Sequence, residues 1–297
     1  AECLQALDAL AADSEASDVP TSLLHDLAQR FTMLGRHEAA ERCHARAVQR
    51  HPDHAPSLYN HATALLALGR AAEAETYSLQ ALSADPSHAG ANLNLGLARE
   101  AQRRYPEAID TLERAVAAAP GNLAALRALA RCHLRTGDAQ RALSLVSGIG
   151  IGDDARVDLL RCEAWIASGT IESASPVLAR LAGIPEYEAQ AQWLMALAAL
   201  RDRRSDDAIV VLRSVTERHP DHRMAALKLA SVELARGDVE TALAGIDRWL
   251  ERHPDRLLLL AGLRLLQRAA QLLEPAVLRG RLPALDLLAL PAERLFQ

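Results

Sequence analysis

Apolar side chains return every third or fourth residue over "PSLYNHATALLALG" (56–69) and again over "AAEAETYSLQALSAD" (71–85). That is the period of a helix with one buried stripe, and no long stretch alternates β-branched with polar residues as a strand does. Gly69 divides the two runs, where a helix C-terminus favours a residue that can turn left-handed. The pattern predicts two helices of about 14 residues each, joined by a tight turn.

The pattern recurs along the chain. Aligning "LGRHEAAE" at 34 with "LGRAAEAE", "QRRYPEAI", "TGDAQRAL", "SGTIESAS", "DRRSDDAI" and "RGDVETAL" puts turn residues at Gly35, Gly69, Arg103, Gly137, Gly169, Arg203 and Gly237. Their spacing is 34, 34, 34, 32, 34 and 34. An alanine stands five residues after each turn: Ala40, Ala74, Ala108, Ala142, Ala174, Ala208 and Ala242. Such small residues let two helices approach near the low end of the usual separation of roughly 8–10 Å. Prolines close units at Pro52, Pro86, Pro120, Pro220 and Pro254, because proline cannot continue a helix. The aspartate of the adjoining Asp-Pro or His-Pro-Asp is expected to cap the next helix.

These residues resemble the tetratricopeptide repeat, whose pattern has a small residue at position 8, alanine at 20, a small residue at 27 and proline at 32. Position 8 is Ala28, Ala62, Gly96 and Ala130 in the first four units, and Ala196 and Ala230 in the last two. Position 27 is Ala47, Ala81 and Ala115, then departs to Ile149. The resemblance implies an all-α superhelix, an α-solenoid of about seven helix-turn-helix units (21–256) with terminal capping helices. Residues 1–20 read as a lone helix, half a repeat, with a linker. Residues 257–297, which leave the pattern, read as capping helices or the start of a further domain.

The unit near 147–188 is irregular. "SGIGIGDD" (147–154) carries three glycines and no proline, so a loop is expected there, with either Cys162 or Ala164 at position 8 of the next helix. A hinge is one reading and a deletion without consequence the other. The tetrapeptide HPDH, at His51–His54 and His219–His222, suggests a metal site or the J-domain tripeptide HPD. It falls at positions 31 to 34, where other units read "DPSH" and "APGN", so it is punctuation.

Composition narrows the function classes. The chain of 297 residues is half apolar, 3% aromatic and carries a net charge of −5, which gives no pointer to nucleic acid. Lys228 is the only lysine among many arginines, a bias expected of a GC-rich bacterial genome. The four cysteines (Cys3, Cys43, Cys132, Cys162) lack CxxC spacing and read as reduced, small apolar residues. The most apolar run, "RLLLLAGLRLLQR", is too short to insert in a membrane and carries Arg264. The cytoplasm is the expected compartment, although a start at Ala1 leaves room for a removed leader and hence the periplasm. No Walker loop, GxGxxG, HExxH or GxSxG is present, so no enzyme, cofactor or metal is expected.

The resemblance implies that the first helix of each unit lines a concave groove through positions 2, 5, 6, 9, 12 and 13. Those positions hold Tyr59 and Asn60, then Asn94, then Arg127, Arg131 and Arg135, then Trp193, then Lys228. Asn60 and Asn94 share position 6 and look like the asparagine ladder of the O-linked N-acetylglucosamine transferase superhelix, which holds peptide backbone. Asparagine tolerated at a solvated position is the plainer reading. The three arginines form a stripe that suits carboxylates, or a solvated face paired with neighbouring acids. The carboxylate clamp of heat-shock-chaperone adaptors is not reproduced, since His25, Gln29 and Gly90 stand at its positions.

The expected function is therefore non-catalytic binding of a protein or extended peptide, leaning acidic, in the groove. Two rivals stand beside it: the recognition half of a larger bacterial enzyme (sulfotransferase, glycosyltransferase or aspartyl hydroxylase), and a self-associating assembly scaffold.

Overall fold

In a computed structural model, residues 20–252 are described. They form fourteen helices and no strand. The helices pair as α1 (Thr21–Met33) with α2 (His37–Arg50), α3 (Ala55–Ala67) with α4 (Ala71–Ala84), α5 (Ala89–Ala101) with α6 (Tyr105–Ala118), and α7 (Leu123–Arg135) with α8 (Ala139–Val146). Then come α9 (Ala155–Ser168) with α10 (Ile171–Ala182), α11 (Glu188–Arg201) with α12 (Ser205–Arg218), and α13 (Arg223–Arg236) with α14 (Val239–Arg252). The chain divides after Gly150 into two compact bodies, the first holding α1–α8 and the second α9–α14. The expected lone helix at 1–20 (Pro20 apart) and the cap at 257–297 lie outside the described residues.

All seven turn residues adopt the left-handed conformation: the five glycines, from Gly35 at φ 70° to Gly237 at φ 88°, and also Arg103 (φ 61°) and Arg203 (φ 60°). One residue further on, the backbone N–H reaches back over the helix end, as Arg36 N does to Phe31 O at 2.8 Å and Arg70 N to Leu65 O at 2.9 Å. These bonds satisfy carbonyls the helix leaves open. The position-20 alanines are all buried, six of them completely.

Capping differs from expectation. The aspartate of HPD does not cap; after the HPD at 219–221 the next residue, His222, does, whereas His54 after the HPD at 51–53 bonds Ser57 Oγ instead of the backbone. His222 Nδ1 accepts the Ala225 N–H at 3.2 Å, and at the same position His88 Nδ1 accepts the Ala91 N–H at 3.0 Å. Asn122 and Asp154 fill that place with side-chain oxygens that each accept two backbone N–H groups. A neutral imidazole with an open Nδ1 serves as an N-cap just as a carboxylate does.

The irregular unit is settled by its geometry. α8 stops at Val146, and α9 begins at Ala155 with Gly169 at its end, so the missing residues fall before α9 and Cys162 takes position 8. The loop between is pinned from below by Asp158, whose side chain is fully buried. Its carboxylate accepts the Gly152 N–H at 2.9 Å, bonds Arg161 at 2.5 Å and pairs with Arg180. A buried carboxylate is tolerated when cations and N–H groups satisfy it in this way. Glu233, also buried, pairs with Arg213 at 2.8 Å.

Cys43, Cys132 and Cys162 are free and buried, and burial pushes the thiols of Cys132 and Cys162 up to about 12. No helix among the described residues is long and apolar enough to cross a membrane.

Candidate functional site

The first helices of neighbouring pairs touch within each body: α3 with α5, α5 with α7, and α9 with α11. The face they share carries the positions expected to line a groove. In the first body it includes a cavity of about 570 Å³ between α1, α2 and α3. Its lining includes His25, Asp26 and Gln29 of α1, His44 of α2, and Asn60 and Thr63 of α3.

The cavity wall is organised by histidines. His25 Nε2 lies 3.1 Å from Ser57 Oγ, which lies 2.8 Å from His54 Nδ1. Burial lowers the pKa of His25, and the neighbouring His54 lowers it further. The His25 and His44 rings stand with centroids 5.5 Å apart. Burial, followed by the charges of His25 and His61, lowers His44 to about 4. Both imidazoles are neutral at physiological pH.

Next along the face, the half-buried Tyr59 ring packs on His88 with centroids 5.1 Å apart. A Cβ at Gly90 would stand 2.7 Å from that ring. Gly90 is therefore the residue that leaves room for Tyr59, which accounts for the absence of a long basic side chain there.

The two position-6 asparagines make contacts between neighbouring units. Asn94 is 4% exposed, and its Nδ2 donates to the Tyr59 carbonyl at 3.1 Å and to Thr63 Oγ1 at 2.8 Å. Both of its N–H groups bind the preceding first helix. Asn60 reaches back in the same sense, its Nδ2 3.4 Å from His25 Nδ1, but it stays half-buried and lines the cavity. Position 6 here ties one unit to the one before.

The arginine stripe lies on α7. Arg127 and Arg131 are half-buried and Arg135 is exposed. Glu100 of α5 grips Arg131 with two bonds, Nε to Oε1 and Nη2 to Oε2, both 2.7 Å. Sequence position showed the three cations but not the acid set against them from another helix.

In the second body, Trp193 is half-buried and packs among core residues of α9–α13, its ring 5.8 Å from His222. That makes it partly a core residue. Lys228 is half-buried on α13, and loss of water lowers its pKa. The structure thus brings Tyr59, Asn60 and Asn94 together on α3 and α5, with Arg131 joined to α5 through Glu100. Trp193 and Lys228 belong to the other body. Among the described residues, no cluster of His, Cys, Asp and Glu is placed to hold a metal ion.

Models of the tetratricopeptide repeat match residues 25–89, 59–122 and 194–256, and a second such model matches 100–153. The chain belongs to the tetratricopeptide-repeat family. A tetratricopeptide repeat protein from Parabacteroides merdae shares the fold, with a TM-score of 0.58 and 17% identity over 76% of this chain and 89% of its own. The second such domain of human RPAP3, solved in complex with an HSP70 peptide, is 28% identical over 37% of this chain and 91% of its own, with a TM-score of 0.35. A thermophilic member from Thermus thermophilus is 18% identical over 72% of this chain and all of its own, with a TM-score of 0.42. No curated protein matches this tetratricopeptide-repeat sequence.

Proposed function

We propose that this tetratricopeptide-repeat protein binds other proteins through an extended, acidic-leaning segment laid on the first-helix face of α1–α7. The observation that carries the reading is the stripe Arg127, Arg131 and Arg135, spaced four residues apart on one helix. Like charges so spaced repel along a helix, and a partner's carboxylates laid along the stripe would ease that repulsion beside the existing contact of Arg131 with Glu100. Arg131 is 39% exposed while Glu100 holds its plane in a fixed orientation. A fixed guanidinium loses less freedom on meeting a second carboxylate than a mobile one does. Tyr59 and Asn60 on the same face supply an aromatic surface and a half-buried amide. The same face would serve whether the chain acts alone or as the recognition part of a longer protein.

The test is selection of binders from a displayed library of random peptides against the full chain. Aspartate and glutamate should be enriched, affinity should fall with salt, and Arg127→Glu with Arg135→Glu should reduce binding far more than reversal of Arg46 and Arg114 on second helices. Screening acts over about 8 Å at physiological ionic strength, so a salt-insensitive complex would speak against the arginine contact.

A further inference from the structure

We propose that the cavity between α1, α2 and α3 is a subsite for a cationic side chain, a lysine ammonium or an arginine guanidinium. The reading above supplies the segment that would carry the cation; the cavity's chemistry stands on its own residues.

His44 occupies position 24 of its unit, where the other units hold Ser78, Leu112, Val146, Leu178, Leu212 and Ile246. The five aliphatic residues are 4% exposed or less, and Ser78 bonds back to the Ala74 carbonyl at 2.7 Å. Position 24 is thus a core position, and an aliphatic residue suits it. His44 is only 9% exposed, and its Nδ1 has no hydrogen-bond partner among the described residues. Leaving a buried polar nitrogen unpaired destabilises the fold. Packing does not explain the imidazole, whereas a ligand that donates a hydrogen bond would.

The lining fits a cation. The imidazole is neutral, so in the tautomer protonated at Nε2 its Nδ1 accepts. Asp26 is the only acid in the lining, no lysine or arginine joins it, and Gln29 and Asn60 bring carbonyl oxygens. A carboxylate would meet Asp26 with like charge. Ala64 and Ala67 offer an apolar wall to the methylene stem of a lysine or arginine.

The test uses the full chain and small side-chain analogues. The histidine ring signals are followed by NMR while n-butylammonium, n-propylguanidinium, butyrate or n-butanol is added. Both cations should shift the His44 and His25 signals saturably, and butyrate and butanol should not. His44→Leu installs the residue found at this position in other units. It should melt no lower than the parent protein and abolish the response at His25, and Asp26→Asn should weaken that response several-fold. The inference is overturned if butyrate or butanol shifts the rings as strongly, if no probe shifts them, or if the His25 response keeps its parental strength in either variant. Arg127→Glu with Arg135→Glu should leave the cation response unchanged. Cation binding without any peptide binding on this face would uphold the cavity's role and sink the peptide reading.

Discussion

Arg131 and Glu100 face each other across α7 and α5 through two parallel N–H···O bonds of 2.7 Å. This pairing turns a row of like charges into a triplet with a counter-charge set against its middle member. It also ties neighbouring first helices together on the face where a partner is proposed to lie. Charge-assisted, two-pronged bonds of this kind fix geometry as much as they add energy.

Glu100→Gln should therefore leave the fold nearly as stable, with a loss of at most about 1 kcal/mol, because Arg131 is over a third exposed. It should also tighten binding of a selected acidic peptide and steepen its salt dependence. Urea unfolding and calorimetric titration at two salt concentrations check both parts. Weaker binding would mean that Glu100, rather than the arginines, meets the partner.

Gly96 and Leu112 are matched in size. A Cβ at Gly96 would stand 2.5 Å from Leu112 Cγ, which is too close for real atoms. Gly96→Ala should thus cost about 1–3 kcal/mol by overpacking, despite alanine's better helix propensity. In a Leu112→Ala background the same substitution should cost nothing or stabilise. A double-mutant cycle by urea unfolding measures the coupling, and additivity would show that the two residues do not touch.

Arg103 and Arg203 hold turn positions that glycine holds in the other five units, at φ of 61° and 60°. A side chain in that region strains the backbone by about 1–2 kcal/mol. Arg103→Gly and Arg203→Gly should each raise stability by roughly 1 kcal/mol, less the entropy that glycine adds to the unfolded chain. A fall in melting temperature in both variants would contradict the turn geometry.

Acid should destabilise the fold below the ordinary histidine range. Burial lowers the pKa of His25, His44, His133 and His222 from 6.5, His44 to about 4. The unfolded chain therefore binds more protons in that window. The stabilisation is complete above pH 6.5 and is lost as the pH falls toward 4, with roughly 3 kcal/mol from His44 alone. Unfolding free energy measured from pH 7.5 to 4 should decline, and less steeply in His44→Leu. Identical slopes in the two proteins would show that His44 is not buried in the way described.

Much of the fold is legible in the chain because the repeat is local. Each turn residue, each position-20 alanine and the helix lengths outside the irregular unit follow from a period that packing of one pair on the next imposes. The candidate site is less legible because its contacts join residues a whole repeat apart. Nothing in "LNLG" says that Asn94 spends its N–H groups on Tyr59 and Thr63, and nothing near Arg131 points to Glu100. His44 could have been noticed as a polar residue at a core position, since the aligned units show leucine, valine and isoleucine there. The sequence leaves the register of α9 open because the buried Asp158 that anchors the glycine loop looks like any helix-surface acid.

The central claim is that the first-helix face of α1–α7 is the binding surface. Amide hydrogen exchange of the full chain, with and without an acidic peptide from the library selection, tests it most directly. The account predicts added protection in α3, α5 and α7, centred near Tyr59, Glu100 and Arg131, with the second helices α4, α6 and α8 unchanged. Protection confined to α4, α6 and α8, or to α9–α14, would contradict it.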